Sequence, residues 1–356
     1  MPPIPPRPAP SAAAGAMLRA AGRHRLAAVV ARSLRESCRV EPRGEIAVAA
    51  SGGGDSTALL VVIAALAERG EAPSPVAIAV DHGLRPESSR EIDSVADLCG
   101  TLGLPFVRRE VRMRGGPGNV LARARTVRYA ALVAEAESRG IATLATAHQA
   151  DDRLESILLG IGRGRGLAAL ASPKPRRRIS SRVALVRPLL EVRHSDCLEF
   201  LSSVGVPWSE DPTNLSPSRA RGFLRTAVLP GLLARFPKAA VHASALGEEF
   251  ALAARTLDRL CARRFGPPER HRWPSGTFAG IEPALAAWVI RRAALHLDAE
   301  AAARAERRDW TAAGRLALAA SQENRPPKRR RIGGLEVRTS TRTVEITRIE
   351  PGNSRS

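Results

Sequence analysis

The sequence predicts an α/β fold in which helices cover both faces of a parallel sheet. Two observations between residue 46 and about residue 170 support this prediction. Short apolar runs of strand length alternate there with longer helical segments, and glycine or polar residues follow the ends of several runs. Because parallel strands need a crossover between them, usually a helix, this alternation is typical of right-handed βαβ units.

The predicted elements form four pairs of a strand and a helix. The strands are 46–50, 76–80, 106–111 and 141–146, and the helices that follow them are 56–69, 88–102, 119–139 and 151–160. In open α/β sheets, ligands bind at the carboxyl ends of the strands. We therefore expect a binding site where the residues that follow these strands meet.

The rest of the chain differs in pattern from this α/β region. The first residues are rich in proline and alanine and lack periodicity, which is typical of disorder. From about residue 218 to 320 alanine and leucine recur at helical spacing, and the tail alternates like strands around Thr339–Thr343. The predicted parts are a disordered segment at 1–16, a catalytic α/β domain at 17–215, a smaller α-helical domain at 216–320, and a basic tail with a short β-hairpin at 321–356.

The segment from Met17 to Arg35 is rich in arginine and contains no acidic residue. This composition is also found in organelle transit peptides. Its helical spacing favours a first surface helix of the domain instead, and Met17 is itself a candidate start of the protein.

The chain is strongly basic. Its 356 residues carry a formal net charge of +20 and a sequence pI of about 11.4, which is the electrostatic pattern of a protein that holds a polyanion. Arginine in place of lysine is explained by compositional bias, but the shortage of acids is not, so we favour nucleic-acid contact. Aromatic residues make up only 3%, which argues against a single-strand binder built on stacking.

The cysteines and the hydropathy indicate the cellular compartment of the protein. Cys38, Cys99, Cys197 and Cys261 are isolated and form no Cys-x-x-Cys pair, so we expect buried thiols in a reducing compartment. No apolar run of roughly eighteen residues occurs, which argues against a membrane span. A cytoplasmic protein with no membrane partner is the resulting expectation.

The most specific motif is the stretch Ser51–Thr57, Ser-Gly-Gly-Gly-Asp-Ser-Thr, between an apolar strand and an apolar helix. A glycine turn at a helix start directs free backbone N–H groups and the positive end of the helix dipole at one point, which suits a phosphate. No Gly-Lys-Ser/Thr closes the motif, so it differs from the common phosphate loop. The acidic Asp55 suits a divalent cation between protein and phosphates, although many such turns only supply positive φ angles.

This stretch resembles the signature Ser-Gly-Gly-x-Asp-Ser of the pyrophosphate-loop family, the N-type ATP pyrophosphatases, at every fixed position. The resemblance implies a Rossmann-like, adenine-nucleotide α-hydrolase-like fold. It also implies that ATP is cleaved between its α and β phosphates and that AMP is transferred to an oxygen of an acceptor. The ATP-binding residues implied at the loop are Ser51, Gly52, Gly53, Gly54, Asp55 and Ser56.

A second group of chemically active residues follows the strand at 141–146. Asp152 and Glu155 are three residues apart, so on a helix their carboxylates share a face, and His148 lies at the helix entry. Acidic residues in a first turn also favour the helix dipole, and Asp151 is explained by that alone. The strand-end position of Asp152 and Glu155 favours a functional role, because it faces the same cleft as the glycine loop.

The segment from His148 to Glu155, followed by Arg-Gly-Arg-Gly-Leu at 163–167, resembles the tRNA(Ile)-lysidine synthetases, whose pattern is His-x-x-Asp-Asp-x-x-Glu-Thr and then Arg-Gly-x-Gly. Further matches cover about residues 45 to 230. They are Val-Asp-His-Gly-Leu-Arg at 80–85, Arg-Thr-Val-Arg-Tyr at 125–129 with Leu132, Arg-Pro-Leu-Leu at 187–190 with Arg193, and Trp208 with Glu210, Asp211 and Asn214.

The resemblance implies a two-step reaction. ATP adenylates the ring carbonyl oxygen of the wobble cytidine in an isoleucine tRNA, and the ε-amine of free L-lysine then displaces AMP to give lysidine. Arg128 and His148 match residues near the ATP phosphates, where a guanidinium or imidazolium would offset developing negative charge. Asp152 and Glu155 match the pair that recognises lysine.

The remaining implied roles concern metal, adenine and tRNA. Asp55 matches the residue that acts with Mg²⁺ on the phosphates and is implied as catalytic with Arg128 and His148. Asp81 and His82 match positions near adenine or the transferred AMP. A homodimer is also compatible with the family. The tRNA contacts that we expect are Arg163, Arg165, Arg193, Arg221 and Arg225, and the basic loop 173–178 is either a solvated loop or a further phosphate contact.

The chain departs from the family pattern at three positions. Ser156 stands where threonine is usual, Leu121 where glutamate is common, and Gly222 where asparagine is common. The second departure removes an acid at that position, and the third affects the start of the helix expected to face tRNA. None of them falls in the glycine loop or in the carboxylate pair.

Three other functions agree with parts of the sequence. A tRNA thiolase of the same superfamily also adenylates a base carbonyl, but many carry a cysteine pair or an iron–sulfur site, which the cysteine spacing here does not offer. A small-molecule amidating synthetase would not need the basic charge. A non-enzymatic nucleotide sensor would not need Asp55, Arg128, His148, Asp152 and Glu155 together.

Overall fold

A computed structural model of the chain describes residues 11–81, 83, 86–111, 120–209, 219–322 and 326–349. The chain divides into two compact units. Unit 1 comprises the described residues of Met1–Leu159 and Ser172–Glu248, and unit 2 those of Gly160–Ala171 and Glu249–Ser356.

The elements of the described part are numbered in chain order. The strands are β1 Glu45–Ala49, β2 Ser74–Asp81, β3 Phe106–Glu110, β4 Thr143–Ala145, β5 Arg176–Arg178, β6 Ala184–Val186, β7 Arg272–Pro274, β8 Lys328–Ile332, β9 Leu335–Thr339 and β10 Thr343–Arg348. The helices are α1 Ala12–Arg23, α2 Arg25–Glu36, α3 Gly54–Glu68, α4 Pro86–Leu102, α5 Val120–Ser138, α6 Ala150–Gly162, α7 Leu167–Leu170, α8 His194–Ser203, α9 Ala220–Phe223, α10 Leu229–Arg235, α11 Ala239–Phe265, α12 Pro283–Leu297, α13 Ala299–Arg304 and α14 Arg307–Ala320. A π-helical turn, Leu224–Val228, connects α9 to α10, and a 3₁₀ turn, Ser275–Phe278, follows β7.

Unit 1 is built on a six-stranded sheet of order β3-β2-β1-β4-β6-β5. All neighbours are parallel except β5, which pairs antiparallel with β6. The chain proceeds outward from β1 through β2 to β3 and then returns to the other side of β1 as β4. The order reverses there, and a reversal of this kind leaves a crevice at the carboxyl ends of the two strands. The predicted α/β sheet is confirmed.

Helices cover both faces of this sheet because successive side chains of each strand alternate between two apolar cores. In β1, Ile46 and Val48 belong to the core that also contains α1, α2, α3 and α8. Ala47 belongs to the opposite core, which includes residues of α5. Helix α3 is buried from Ser56 to Leu66, as an apolar helix beside the central strand must be.

Two segments of unit 1 differ from the predicted elements. Helix α1 begins at Ala12, inside the segment predicted to be disordered, because Ser11 accepts the N–H of Ala14 and the apolar face is buried at Ala14 and Leu18. Residues 1–10 lie outside the described residues. The basic loop 173–178 contains the short edge strand β5, whose arginines are exposed. Charged side chains of this kind protect a sheet edge from pairing with another chain.

The unit boundary also differs from the sequence-based division. The sequence predicts a helical domain that begins at residue 216, whereas residues 219–248 belong to unit 1. They remain with unit 1 because side chains of the π-helical turn and of α11 bond to α6, as described below. The pattern of helical periodicity alone does not show which core a helix covers.

Unit 2 combines helices with a four-stranded antiparallel sheet of order β7-β10-β9-β8. The predicted tail hairpin is present as β9 and β10, and β7 extends it from within the segment predicted to be wholly helical. Strand β7 joins this sheet because its Trp273 is 2% exposed and pairs with Val344 of β10. No helix of the described part is long and apolar enough to cross a bilayer.

Candidate functional site

Unit 1 contains a cleft of about 780 Å³ at the carboxyl ends of β1 and β4. One wall is apolar and includes Ile78, Val80 and Leu132. Other lining residues belong to the first turns of α6 and α8 and to residues 221–233. The polar and charged lining residues are Ser51, Asp55, Ser56, Glu91, Arg125, Arg128, Tyr129, Thr146, His148, Gln149, Asp151, Asp152, Glu155, Arg193, His194, Ser195, Ser209, Arg221 and Arg225.

The glycine loop between β1 and α3 is packed so tightly that side chains are excluded at two positions. Gly52 has a φ of +84°, and a Cβ there would lie 2.8 Å from the carbonyl oxygen of Glu91. A Cβ on Gly54 would lie 2.4 Å from Leu198 Cδ2 and 3.4 Å from Trp208 Cδ1. Glycine is therefore needed both for the turn and for the close approach of neighbouring elements.

Hydroxyl groups hold the loop in one shape. Ser56 Oγ donates to the carbonyl oxygen of Gly53 at 2.9 Å and accepts the N–H of Ser51 at 3.2 Å. The hydroxyls of Ser51 and Ser56 lie 3.1 Å apart. Gly53 contributes no capping side chain, so the first-turn N–H groups of α3 have no carbonyl partner within the helix and face a potential anion.

Asp55, in the first turn of α3, is bound by a histidine that the sequence motifs did not identify. His194 Nδ1 lies 2.8 Å from Asp55 Oδ1, and the backbone N–H of His194 donates to Asp151 Oδ2 at 2.9 Å. The hydrogen bond with Asp55 raises the pKa of the His194 imidazole above its ordinary value. Asp151 is thus a cap for α8, and His194 connects the two helix starts. The separation of 139 residues left no spacing signal for this pair.

A magnesium ion fits the donors available at Asp55. Mg²⁺ in ATP sites is usually held by one or two carboxylates together with substrate phosphates and water. The Asp55 side chain is 25% exposed to the cleft beside the free N–H groups of the loop. Among the described residues no group of three or more His, Cys, Asp or Glu could hold a metal ion.

Asp152 and Glu155 lie together on α6, as their spacing predicts, and they are ion-paired with Arg225. Arg225 Nε donates to Glu155 Oε1 at 2.5 Å, and its Nη2 donates to Asp152 Oδ1 at 3.0 Å. Arg221 Nε lies 3.8 Å from Glu155 Oε2. Burial raises the pKa of both carboxyl groups despite the attraction of the arginines. The pair is therefore a buried cation site.

His148 is neutral in the free protein. Burial, followed by the charges of Arg187 and Arg125, holds the pKa of its imidazole well below the ordinary value. Arg125 Nη2 lies 3.2 Å from His148 Nε2, and Thr146 Oγ1 lies 3.0 Å from Nδ1. A guanidinium can only donate, so Nε2 accepts and Nδ1 carries the proton. Without ATP in the cleft, the imidazole therefore carries no positive charge, and the role of His148 beside the phosphates stays a prediction.

Two arginines, Arg125 and Arg128, place permanent positive charge on this side of the cleft. Arg125 and Arg128 lie over the ring of Tyr129, with their guanidinium carbons 5.0 Å and 5.8 Å from its centre. Burial lowers the pKa of Arg128 and lowers that of Arg187 to about 10, but both remain cations at neutral pH. This side of the cleft is consequently suited to a polyphosphate.

Arg153 holds α6 in position from its opposite side. The side chain is 0% exposed and donates to the carbonyl oxygens of Ser244 at 2.8 Å and Pro173 at 2.7 Å. Ser244 Oγ accepts a further bond at 3.0 Å. The sequence motif indicates no role for Arg153, but its location between Asp152 and Glu155 in the chain makes it a positioning residue for both.

Residues 26–232 match the PP-loop domain, an ATP-binding family. A tRNA(Ile)-lysidine synthase from Bradyrhizobium sp. is 35% identical over 296 residues, covering 76% of this chain and 81% of that protein. The chain belongs to the tRNA(Ile)-lysidine synthase family.

Other members of the tRNA(Ile)-lysidine synthase family match shorter parts. The enzyme from Ruegeria pomeroyi is 41% identical over 51% of this chain, which spans 43% of that protein. The one from Salinispora arenicola is 39% identical over 58% of this chain, which spans 62% of that protein. Among solved structures, the U34-tRNA thiolase NcsA from Methanococcus maripaludis, with its 4Fe-4S cluster, has a TM-score of 0.53 and 17% identity over 62% of this chain and 76% of that chain. At this identity the likeness concerns the fold alone.

The cleft brings together most residues that resemblance to the lysidine synthase family implied. Gly52 and Gly54 lie behind the lining residues of the loop. Asp81 bonds to Ser89 Oγ at 2.9 Å and to the guanidinium of Arg108 at 2.6 Å, away from the lining residues. These bonds lower its pKa although burial opposes them. The predicted residues or side chains that lie outside the described part are His82, Leu84, Arg85, Leu121, Glu210, Asp211 and Asn214.

The five arginines expected to contact tRNA are distributed differently. Arg221 and Arg225 face the carboxylate pair, and Arg193 Nη2 lies 3.3 Å from Asp151 Oδ1. Arg163 and Arg165 are exposed in unit 2, where Arg165 lies near the half-buried Arg291. Their contacts with tRNA stay predictions.

Proposed function

We propose that this protein joins L-lysine to the wobble cytidine of the isoleucine tRNA with anticodon CAU, forming lysidine and converting ATP to AMP and pyrophosphate. The product would read AUA instead of AUG and accept isoleucine instead of methionine. The observation that supports the proposal most directly is a buried carboxylate pair, Asp152 and Glu155, in the same cleft as a PP-loop. Membership of the family supports it independently.

In the first step the cytidine carbonyl oxygen attacks the α-phosphorus of ATP, and pyrophosphate leaves. The loop N–H groups, Ser51 and Ser56 would bind the phosphates, and Arg128 with Arg125 would stabilise the charge that develops on them. Asp55 would hold Mg²⁺, which supplies neutralisation of phosphate charge when bound. His148 acts here by orienting Arg125 through its Nε2.

In the second step the lysine ε-amine attacks the activated ring carbon, and AMP leaves with the former carbonyl oxygen. An amine is nucleophilic only after its ammonium has lost a proton. Burial raises the pKa of Asp152 and Glu155, so either carboxylate binds the cation and accepts a proton more readily than an exposed carboxylate. The half-buried guanidinium of Arg225 that is already paired with both carboxylates supports a cation-binding role.

The tRNA requires a basic surface outside the cleft. The net charge of +20 supplies attraction to a polyanion, and the exposed arginines of unit 2 include Arg329, Arg331 and Arg338 on β8 and β9. Phosphate contacts of this kind depend steeply on salt. We therefore expect tRNA affinity to fall strongly between low and moderate ionic strength.

The deciding experiment supplies the purified protein with ATP, labelled L-lysine and bulk tRNA. Label is expected in an isoleucine tRNA, together with one AMP for each lysine incorporated. Asp55→Ala should abolish AMP formation while tRNA binding persists. Asp97→Asn, which alters an exposed carboxylate on α4, is the matched control and should retain activity.

A tRNA thiolase is the alternative that this assay excludes or supports. Addition of sulfur from a sulfur donor, without uptake of lysine, would overturn the proposal. The cysteines argue against it, because all four are buried. Burial raises the pKa of Cys38 to about 11 and that of Cys99 to about 12, which disfavours the reactive thiolate.

A further inference from the structure

Arg225 lies where the ammonium of a bound amine is expected to lie. Its Nε and Nη2 donate to Glu155 Oε1 at 2.5 Å and Glu155 Oε2 at 3.3 Å, and Nη2 also donates to Asp152 Oδ1 at 3.0 Å. The fourth oxygen, Asp152 Oδ2, accepts the backbone N–H of Gln149 at 3.2 Å. Each carboxylate oxygen of the pair therefore already has a donor.

Because the carboxylates are largely buried, their pairing with Arg225 affects the access of another cation. The side chain of Glu155 is 1% exposed and that of Asp152 14% exposed, whereas Arg225 is 29% exposed. Solvent thus reaches the side chain of Arg225 more readily than that of Glu155. A guanidinium in bidentate contact with a buried carboxylate is also a strong competitor, because ionised pairs of this geometry are the stronger hydrogen bonds.

The backbone that carries Arg225 is irregular. Arg225 belongs to the π-helical turn Leu224–Val228, and Pro230 follows near the start of α10. Single π-helical turns are less favourable than α-helix and often occur at functional sites. Conversion of the π-helical turn to α geometry shifts its hydrogen-bond register by one residue. The helix before the turn then rotates relative to the helix after it by about 100°. The segment therefore has a simple way to withdraw Arg225.

We propose that Arg225 fills the amine subsite of the free protein as an internal substitute for the substrate ammonium, and that its withdrawal determines the apparent affinity for lysine. This inference rests on the proposed function for the identity of the amine. It assigns Arg225 a role in lysine binding, which differs from the tRNA contact expected from the sequence. Apparent affinity is reduced by the fraction of molecules in which the site is occupied.

Binding of free L-lysine to the full chain, measured by calorimetry without ATP or RNA, tests the proposal. Arg225→Gln keeps a polar side chain but removes the cation, and we expect it to bind lysine about tenfold more tightly than the wild type. Arg225→Lys places another ammonium at the same position and should leave lysine binding weak. Arg221→Gln is the matched control, because it removes the same charge from the same cleft while leaving the contacts of Arg225 intact.

Three results would overturn the proposal. Arg225→Gln binds lysine no more tightly than the wild type, Arg225→Lys gains as much affinity as Arg225→Gln, or Arg221→Gln gains as much as Arg225→Gln. If Arg225→Gln does not fold, hydrogen exchange of wild-type residues 220–228 at saturating lysine decides the matter. Faster exchange is expected when Arg225 is released, and unchanged or slower exchange contradicts the idea.

The test separates this inference from the proposed function. Incorporation of labelled lysine into tRNA, with no gain of lysine affinity in Arg225→Gln, removes the inference and leaves the function. A gain of affinity without incorporation removes the function and leaves an amine site that Arg225 guards.

Discussion

Replacement of Gly52 by alanine tests whether the glycine loop is packed as the structure shows. Gly52 has a φ of +84°, and its Cβ would lie 2.8 Å from the carbonyl oxygen of Glu91. Gly44 has a similar φ of +77° with nothing within 4 Å of a Cβ. The two variants share the backbone penalty and differ in the steric contact.

The expected costs follow from those two terms. A left-handed conformation costs an L-residue roughly 1–2 kcal/mol, so Gly44→Ala should lose about that much unfolding free energy. Overpacking against a neighbour that cannot easily move adds about 1–3 kcal/mol, and the neighbour here is backbone of α4. Gly52→Ala should therefore lose about 2–5 kcal/mol.

Urea unfolding combined with hydrogen-exchange mass spectrometry of α3 peptides measures these costs in unit 1, because the two units can unfold at different urea concentrations. AMP formation in the lysine assay measures whether the glycine loop still binds ATP productively. Gly52→Ala should lose most of it, because its backbone must shift, whereas Gly44→Ala should retain it. Equal losses of stability in the two variants would refute the packing of Gly52 against Glu91.

Two further variants probe α6. Arg153→Met leaves the carbonyl oxygens of Ser244 and Pro173 without their buried donor, so we expect a loss of about 2–4 kcal/mol in urea unfolding and a raised KM for lysine. The exposed Arg32→Met should lose less than about 1 kcal/mol, and equal losses would contradict the role of Arg153. Because burial raises the pKa of Glu155 in the folded state, the ionised form is disfavoured there, and the stability of the wild type should fall relative to Glu155→Gln as pH rises from about 4 to about 7. Urea midpoints measured across this range check the sign, and a constant or opposite difference would show that the arginines outweigh burial.

The features that the sequence predicted well depend on neighbouring residues. The alternation of strands and helices, the glycine loop and the shared face of Asp152 and Glu155 each arise within a few positions of the chain. Dihedral preferences, helix spacing and strand alternation act at that range. Their geometry in the structure agrees with the prediction for this reason.

The structure differs from other predictions where a distant contact decided the outcome. Helix α1 begins earlier than predicted, because its face is buried against the domain core. Residues 219–248 join unit 1, since Arg225 and Ser244 bond to α6 from the following segments. Helical periodicity identifies a face to be buried but not the partner that buries it.

The sequence by itself determined that this chain forms a nucleotide-binding α/β unit with a PP-loop and offers two carboxylates at a second strand end, because each motif is local. Only the tertiary structure decided that the carboxylates hold Arg225, 70 residues away, and that Asp55 holds His194. Among 55 lysines and arginines, opposite charge alone cannot choose a partner. Burial lowers the pKa of His148 and raises the pKa of Glu155. The type of a residue does not tell how deeply the fold buries it, so these two shifts could not be predicted from the sequence.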